Sequence, residues 1–349
     1  AIVASALATS AAIVCAAPLP PGNTGISVYE PIGDVVISNI NDYSVYASSS
    51  AIGIAGKAGN GGVTIENSGN LDVYANADGY SYSSSALGIY ANISVADEIH
   101  ISNSGDLSVT AHTDANGYYS ADARGIKVFA SAGESIVINN GSIDIDVESS
   151  GISFASGINF EGLFGTAEVQ NYGDISINAK AGGLATLEAI STYAMFGEIT
   201  IENSGDLNIT LEGNDRAWLN GIVANTFYGA EVVNSGDISL NSFANSDSVA
   251  TAINTTTRFN YSSISNTGDL TVVSDSVLGR ATARGIFGIA NYDSVILNNS
   301  GEIHLVSESE QGSAYAAGIV AYSNGDTQVV NSGDIYIGVS SNVSGNHSM

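Results

Sequence analysis

The sequence predicts an all-β protein, a right-handed parallel β-helix (β-solenoid) of about ten coils of ~32 residues, with three short strands in each coil. Three observations predict this fold: a motif that returns at a nearly constant interval, apolar and polar residues that alternate in fixed places around it, and a composition rich in glycine and asparagine. Short strands bury an apolar face only when the coils stack on one another. The right-handed sense follows because parallel crossover connections strongly favour that hand.

The repeated motif is Asn-x-Gly-Asp/Glu-Ile/Leu, and most copies follow the previous one after 31 to 33 residues. The ten asparagines are Asn39, Asn67, Asn103, Asn139, Asn171, Asn203, Asn234, Asn266, Asn299 and Asn331. A rival interpretation folds each copy into two coils of about 16 residues. The segments before and after the asparagine differ in pattern, which favours one coil per copy.

Each copy contains three apolar segments in a fixed order. The first is centred on a Gly-Ile step such as Gly157-Ile158, which lies 13 to 15 residues before the asparagine. The second alternates just ahead of the asparagine, as in residues 199–203, and the third alternates after the glycine, as in residues 207–209. Alternation with period 2 over four to six residues predicts short strands with one buried and one exposed face.

The asparagine and glycine of the motif are expected to form a structural turn between the second and third strands. A turn there needs a left-handed residue, which glycine supplies at little cost, and the asparagine amides are expected to stack into a ladder. The turn residues are Asn67, Asn103, Asn171, Asn203, Asn234, Asn266, Asn299, Asn331, Gly69, Gly105, Gly173, Gly205, Gly236, Gly268, Gly301 and Gly333, with Asn41 in the first copy. In the fourth copy, the apolar alternation of the strand before Asn139 fits Asn140 better than Asn139 as the motif asparagine, which predicts a local irregularity.

The predicted organisation is an apolar N-terminal segment and Pro-rich linker over 1–31, the solenoid over 32–339 and a short tail over 340–349. All four prolines precede residue 32, so every residue of the repeats has a backbone N–H that can donate a hydrogen bond within a sheet. Residues 1–17 resemble the apolar part of a secretory signal, or else form an apolar strand that covers the end coil or pairs with a neighbouring molecule. They are short for a membrane span, and the single Cys15 forms neither a disulfide nor a metal cluster.

The charge balance excludes a nucleic-acid binder, because the net charge is −27 and phosphate binding needs clustered basic residues. One acidic residue recurs at the same place in successive copies, as Asp174, Asp206, Asp237, Asp269, Glu302 and Asp334, with Asp106 and Asp42 earlier. Stacked coils would bring these carboxylates to about 4.8 Å spacing, where they repel. Solvent exposure, partial protonation in an acidic habitat, or bound divalent cations such as Ca²⁺ would relieve that repulsion, and no other cofactor is expected.

No catalytic constellation is present, so the chain is not expected to be an enzyme. His100, His112, His304 and His347 are scattered and are interpreted as surface residues. The two longest copies contain loops rich in tyrosine, serine and glycine, which are typical of adaptable contact surfaces. The tyrosines in question are Tyr80, Tyr82, Tyr118 and Tyr119; they are candidate adhesive residues or the filling of oversized turns.

The Asn-Ser-Gly-Asp-Ile turns, followed some 18 residues later by Ala-x-Gly-Ile, resemble the β-helical passenger regions of bacterial type V autotransporters and related adhesins. The resemblance covers residues 32–339. It implies secretion, an extracellular or cell-surface location, and adhesive or structural work. The chain departs from that family in having no C-terminal outer-membrane barrel after its repeats.

The last copy is followed by only ten residues with no amphipathic helix, so an open terminal coil is expected. Stacking of a second copy there would be heterologous and would not close. The predicted function is therefore a subunit of an extracellular filament, with itself as partner in a head-to-tail homopolymer. The alternatives are a monomeric adhesin passenger that binds surface glycans or other cells, and a β-helical carbohydrate-active enzyme.

Overall fold

The chain folds as a parallel β-solenoid, which confirms the predicted fold class. The computed structural model describes residues 2–4, 12–15, 24–77, 83–95, 97–113 and 119–342, and these contain 32 strands and no helix. Ten complete coils follow one another from residue 24 to residue 341, and each coil contributes one strand to each of three sheets. We name these sheets A, B and C in the order in which the chain meets them.

Sheet A has eleven strands, built around the Gly-Ile steps where the repeat contains them. They are β1 (Ile2–Ala4), β3 (Thr24–Glu30), β6 (Ser50–Ala58), β9 (Ser83–Ile93), β12 (Ser120–Ala130), β15 (Ile152–Phe164), β18 (Ala185–Phe196), β21 (Ala217–Thr226), β24 (Ser248–Thr257), β27 (Ala281–Ala290) and β30 (Ala314–Ser323).

Sheet B has eleven strands, and each of its strands in the ten complete coils ends at a ladder asparagine. They are β2 (Ala12–Cys15), β4 (Val35–Asn39), β7 (Val63–Asn67), β10 (Ile99–Asn103), β13 (Ser135–Asn139), β16 (Ala167–Asn171), β19 (Ile199–Asn203), β22 (Ala230–Asn234), β25 (Ser262–Asn266), β28 (Val295–Asn299) and β31 (Thr327–Asn331).

Sheet C has ten strands, each beginning four residues after the asparagine. They are β5 (Tyr43–Ala47), β8 (Leu71–Ala77), β11 (Leu107–Thr113), β14 (Ile143–Ser149), β17 (Ile175–Ala181), β20 (Leu207–Gly213), β23 (Ile238–Ala244), β26 (Leu270–Ser276), β29 (Ile303–Ser309) and β32 (Ile335–Ser341). Because each sheet receives only its own segment of the repeat, the interpretation with two coils of about 16 residues is wrong.

The strands stack in strict register from coil to coil. In sheet B, for example, Ile99 pairs with Val63 on one side and Ser135 on the other. In-register stacking places the same motif position in one column along the rod. The inward columns of isoleucine, valine, leucine and alanine form one continuous core between the three sheets, as expected for strands with alternating faces.

Sheet A bends at the Gly-Ile step, because both residues of the step face the core. Gly125 and Ile126 are consecutive buried residues in a strand that otherwise alternates. A Cβ on Gly125 would lie 2.5 Å from Cγ2 of Ile143 in sheet C. Glycine at this place in β12 therefore avoids a clash between two sheets, although alanine fills the equivalent place at Ala189 and Ala252.

The N-terminal segment contributes two strands to the same stack. β1 pairs in parallel with β3, and β2 pairs in parallel with β4. β3 itself lies within the segment assigned to the linker from sequence, and it pairs with β6. Sheets A and B therefore begin before residue 32, and β32 extends the solenoid to Ser341.

The expected irregularity around Asn139 does not occur. β13 keeps the common register, with Asn139 opposite both Asn103 and Asn171. This register places Ser135 at an inward position, where its hydroxyl is buried without a hydrogen-bond partner. The strand therefore keeps the register that stacks Asn139 on its neighbours, although its apolar pattern fits a register ending at Asn140 better. As a result the hydroxyl of Ser135 is left without a hydrogen bond.

Candidate functional site

The ten repeat asparagines form a continuous hydrogen-bonded ladder, as predicted. In the middle of the rod, Nδ2 of Asn171 donates to Oδ1 of Asn203 at 2.7 Å and to the carbonyl oxygen of Gly173 at 2.7 Å. The same pair of bonds recurs along the column, with Nδ2 to Oδ1 distances of 2.7 to 2.8 Å between adjacent coils. Each interior side chain uses both amide hydrogens and its oxygen, so the buried amides are satisfied.

The turn glycines are not left-handed, so the conformational reason given for them was wrong. The positive-φ glycines of the described residues are Gly33, Gly61, Gly133 and Gly165, none of which belongs to the motif. The motif glycines are needed for space: a Cβ on Gly205 would lie 2.0 Å from the carbonyl oxygen of Gly173 in the preceding coil. The same approach, at 2.0 to 2.1 Å, recurs at Gly69, Gly105, Gly141, Gly173, Gly236, Gly268, Gly301 and Gly333.

The acidic residues of the motif do form a column, and the backbone of the adjacent coil supplies a partner for most of them. Oδ1 of Asp174 accepts a hydrogen bond from the backbone N–H of Asp206 at 2.9 Å. The same bond joins Asp206 to Asp237, Asp237 to Asp269, and Asp269 to Glu302, at 2.8 to 3.0 Å, and Asp334 continues the position. Within the described residues, no three His, Cys, Asp or Glu side chains are grouped so that they could hold a metal ion.

The structure describes one of the four candidate adhesive tyrosines. Tyr80, Tyr82 and Tyr118 lie outside the described residues. Tyr119 is half-buried just before β12, and its carbonyl oxygen accepts hydrogen bonds from the backbone N–H of Ile152 and the hydroxyl of Ser149.

Three of the four histidines lie among the described residues, on the outer faces of their strands. Nδ1 of His112 lies 3.2 Å from Oε2 of Glu148. The ring of His304 packs edge-on against Tyr336.

An aromatic column that sequence reasoning missed lies at the turn between sheets A and B. It consists of Phe164, Phe196, Phe227, Phe259 and Tyr292, whose adjacent ring centroids are 5.1 to 6.0 Å apart. The guanidinium of Arg258 lies over Phe227 and Phe259, at 5.2 and 5.3 Å. All five rings stand seven residues before a ladder asparagine, and that spacing is the sequence signal that would have found them.

A groove runs along the outer face of sheet A, where the strands bend. Outward side chains next to the Gly-Ile step are buried although they face away from the core, as for Ser156 and Asn159, each 6% exposed, and Val223, 1% exposed. Such burial on an outward face indicates a recess. We call it the sheet A groove.

A pocket of about 400 Å³ lies in this groove, in the strands β12, β15 and β18, and Arg124 is one of the residues that line it. Nε of Arg124 donates to Oδ1 of Asp122 at 2.9 Å, and Nη1 donates to Oδ1 of Asn159 at 2.6 Å and lies 3.6 Å from Oε1 of Glu161. Aromatic side chains from the same strands, Phe129, Phe154 and Tyr193, also line the pocket.

Glu188 closes the pocket on the side of β18. Burial raises the pKa of its carboxyl group, an effect opposed by a hydrogen bond from Nδ2 of Asn220 at 3.4 Å and by the positive charge of Arg124. Burial, together with the nearby charge of Glu188, also raises the pKa of the Tyr193 phenol. The pocket thus holds charges of both signs in a partly desolvated setting.

Comparisons of this chain with protein-family profiles, with curated proteins and with solved structures gave no match. Among the described residues there is also no helix of the length and apolarity needed to cross a membrane. The assignment of the fold and of the Asn ladder therefore depends on the structure of this chain alone.

Proposed function

We propose that this protein is a structural rod of the extracellular or cell-surface space, and a subunit of filaments that form by end-to-end stacking of solenoids. The observation that carries the proposal is the unbroken pairing of all three sheets through ten coils. Each coil contacts mainly its neighbours, so the rod is extended by adding coils rather than by enlarging a core. Two columns, the Asn amides and the aromatic rings, add further contacts between adjacent coils.

The assembly part of this proposal places the joint between subunits at coil ten. β30, β31 and β32 are each paired on one side only within the described residues. Ile335, Ile337 and Val339 of β32 are 38%, 49% and 52% exposed. Strand edges and apolar side chains of this kind recruit further strands, and head-to-tail addition of a second copy does not close.

Electron microscopy of the concentrated protein tests the assembly. We expect filaments whose width is that of one rod. Ile337→Lys should shorten them, because a charge would be buried at the joint, whereas Ile296→Lys, at a 38% exposed position on the side of the rod, should leave them unchanged. Single rods at every concentration, or equal effects of both substitutions, would contradict assembly at this end.

The extracellular location rests on the resemblance to autotransporter passenger regions, which the Asn-laddered solenoid supports at the level of architecture. It is tested by protease treatment of intact cells of the source organism. Loss of the protein from intact cells, while a cytoplasmic marker survives, is the expected result; protection of the protein until the cells are lysed would contradict it.

A second candidate function is a monomeric adhesin. It is favoured by exposed aromatic side chains along sheet A, such as Phe154 and Tyr193, which are 37% and 43% exposed. Aromatic side chains at such exposure are typical contact residues. Attachment of protein-coated beads to cells, with only single rods in the microscope, would establish this function in place of the filament.

A further inference from the structure

We propose that the pocket in the sheet A groove binds a neutral sugar residue of a glycan. In this arrangement Arg124, Asn159 and Glu188 hydrogen-bond the sugar hydroxyls, and Phe154 and Tyr193 pack against its apolar C–H faces. The proposal does not depend on end-to-end assembly, because the pocket lies on the side of the rod in its middle coils.

The charges of the pocket select a neutral ligand. Arg124 lines the pocket, with Asp122 and Glu161 in contact with its guanidinium. An anionic ligand would be repelled by Glu161 and Glu188 on a chain of net charge −27, and a charged ligand of either sign would have to compete with the ion pairs that Arg124 already makes. A polyhydroxy compound pays neither penalty, because hydroxyl groups donate to carboxylates and accept from guanidinium and amide groups.

Polar groups in the pocket retain hydrogen-bonding capacity that a ligand can use. Ser156 lines the pocket and is 6% exposed, but its hydroxyl oxygen is fully buried and lies out of reach of a ligand. Asn159 is also 6% exposed and accepts from Arg124 through Oδ1, so that contact leaves its Nδ2 group to donate.

The aromatic residues of the pocket differ from the aromatic column in what they offer a ligand. In the column, neighbouring rings lie against one another, and Arg258 covers two of them. Phe154 and Tyr193 instead line the pocket while remaining 37% and 43% exposed. They lie on β15 and β18, and the volume of about 400 Å³ is sufficient for one or two sugar rings.

The test is binding of the full chain to a panel of immobilised neutral oligosaccharides and to matched oligosaccharides that contain uronic or sialic acid. The pocket variants are Tyr193→Ala and Phe154→Ala. Their matched controls are Tyr322→Ala and Trp218→Ala, because Tyr322 occupies the Tyr193 column four coils further on and Trp218 occupies the Phe154 column two coils further on. Both control residues lie outside the pocket.

We expect the intact protein and both controls to bind at least one neutral oligosaccharide, and the two pocket variants to bind it tenfold or more weakly. Arg124→Met should abolish binding; circular dichroism on this variant checks that the solenoid persists. No binding of any neutral oligosaccharide, a preference for the acidic set, or equal losses in pocket variants and controls would overturn the proposal.

Discussion

At the scale of single residues, this fold depends on two positions that must be filled identically in successive coils. The ladder asparagine is buried, and it accepts a hydrogen bond from the asparagine of one adjacent coil and donates one to the asparagine of the other. The motif glycine lies where a carbonyl oxygen of the preceding coil leaves no room for a Cβ. Both requirements arise from stacking, so a substitution in one coil is felt in its neighbours.

Gly205→Ala should destabilise the protein by roughly 1–3 kcal/mol, because the new Cβ would lie 2.0 Å from the carbonyl oxygen of Gly173 and the coils would have to separate locally. Gly213→Ala is the matched control, since its nearest atom would be 3.5 Å away. Chemical denaturation measures both. A midpoint for Gly205→Ala equal to that of the control would refute the steric account of the motif glycine.

Asn203→Ala should destabilise by roughly 1–3 kcal/mol for each buried partner that it leaves unsatisfied. Two partners are affected: Nδ2 of Asn171 loses its acceptor and Oδ1 of Asn234 loses its donor. Asn208→Ala removes an amide from an exposed position on β20 and should change the denaturation midpoint little. If the two substitutions cost the same, the ladder does not contribute to stability in the manner inferred here.

At the scale of elements, the outer face of sheet C concentrates acidic side chains whose protonation is linked to stability. Burial raises the pKa of Asp144 on β14, and the charges of Asp106, Asp146 and Asp174 raise it further. Burial likewise raises the pKa of Asp275 on β26, with Glu308 and Glu310 adding to the effect. In-register stacking adds to the effect of burial, because acidic positions on adjacent strands, such as Asp275 and Glu308, are brought side by side.

The folded protein therefore holds these protons more tightly than the unfolded chain, and acidification should stabilise it. The gain is complete below the ordinary carboxyl pKa of about 4 and is lost as the pH rises through the raised values in the folded state. We expect the melting temperature to increase as the pH falls from 7 towards the ordinary carboxyl pKa of about 4. Asp144→Asn should raise the melting temperature at pH 7, and the difference from the wild type should shrink as the pH falls through that range; a constant difference at all pH values would contradict the linkage.

At the scale of the whole molecule, the fold could be predicted because every coil repeats the same information. The interval between asparagines gives the coil, and alternation gives the strands and their faces. The reason for the motif glycine could not be read from sequence, since a left-handed turn and a close approach of backbones both select glycine. The structure distinguishes these two explanations, and at Gly205 it shows the close approach of the backbones.

The sheet A pocket lay beyond sequence reasoning for a different reason. Arg124, Asn159 and Glu188 come from three successive coils and share no residue type. Arg124 and Glu188 stand in one column, which Ser156 occupies in the coil between them, and Asn159 stands in another column. They meet because the strands bend at the Gly-Ile step and because stacking brings residues about 32 positions apart into contact. The polar groups of this pocket therefore come from positions at which the residue type changes from coil to coil.

Stacking also makes a prediction about length: a whole coil can be removed, but half a coil cannot. Deleting residues 204–234 joins Asn203 to Ser235 and restores the motif, while removing β20, β21 and β22, one strand from each sheet. The product should fold into a rod about 4.8 Å shorter, with a modest loss of stability, because one repeat and one interface are lost. Small-angle X-ray scattering and circular dichroism measure the two quantities.

Deleting residues 204–219 removes about half of that coil and is the matched control. It would direct the remaining part of β21 onto sheet C, where neither its register nor its buried face fits. We expect the half-coil deletion to lose the cooperative thermal transition that the whole-coil deletion keeps. A folded half-coil variant as stable as the whole-coil one would show that the unit of this solenoid is shorter than the three-strand coil.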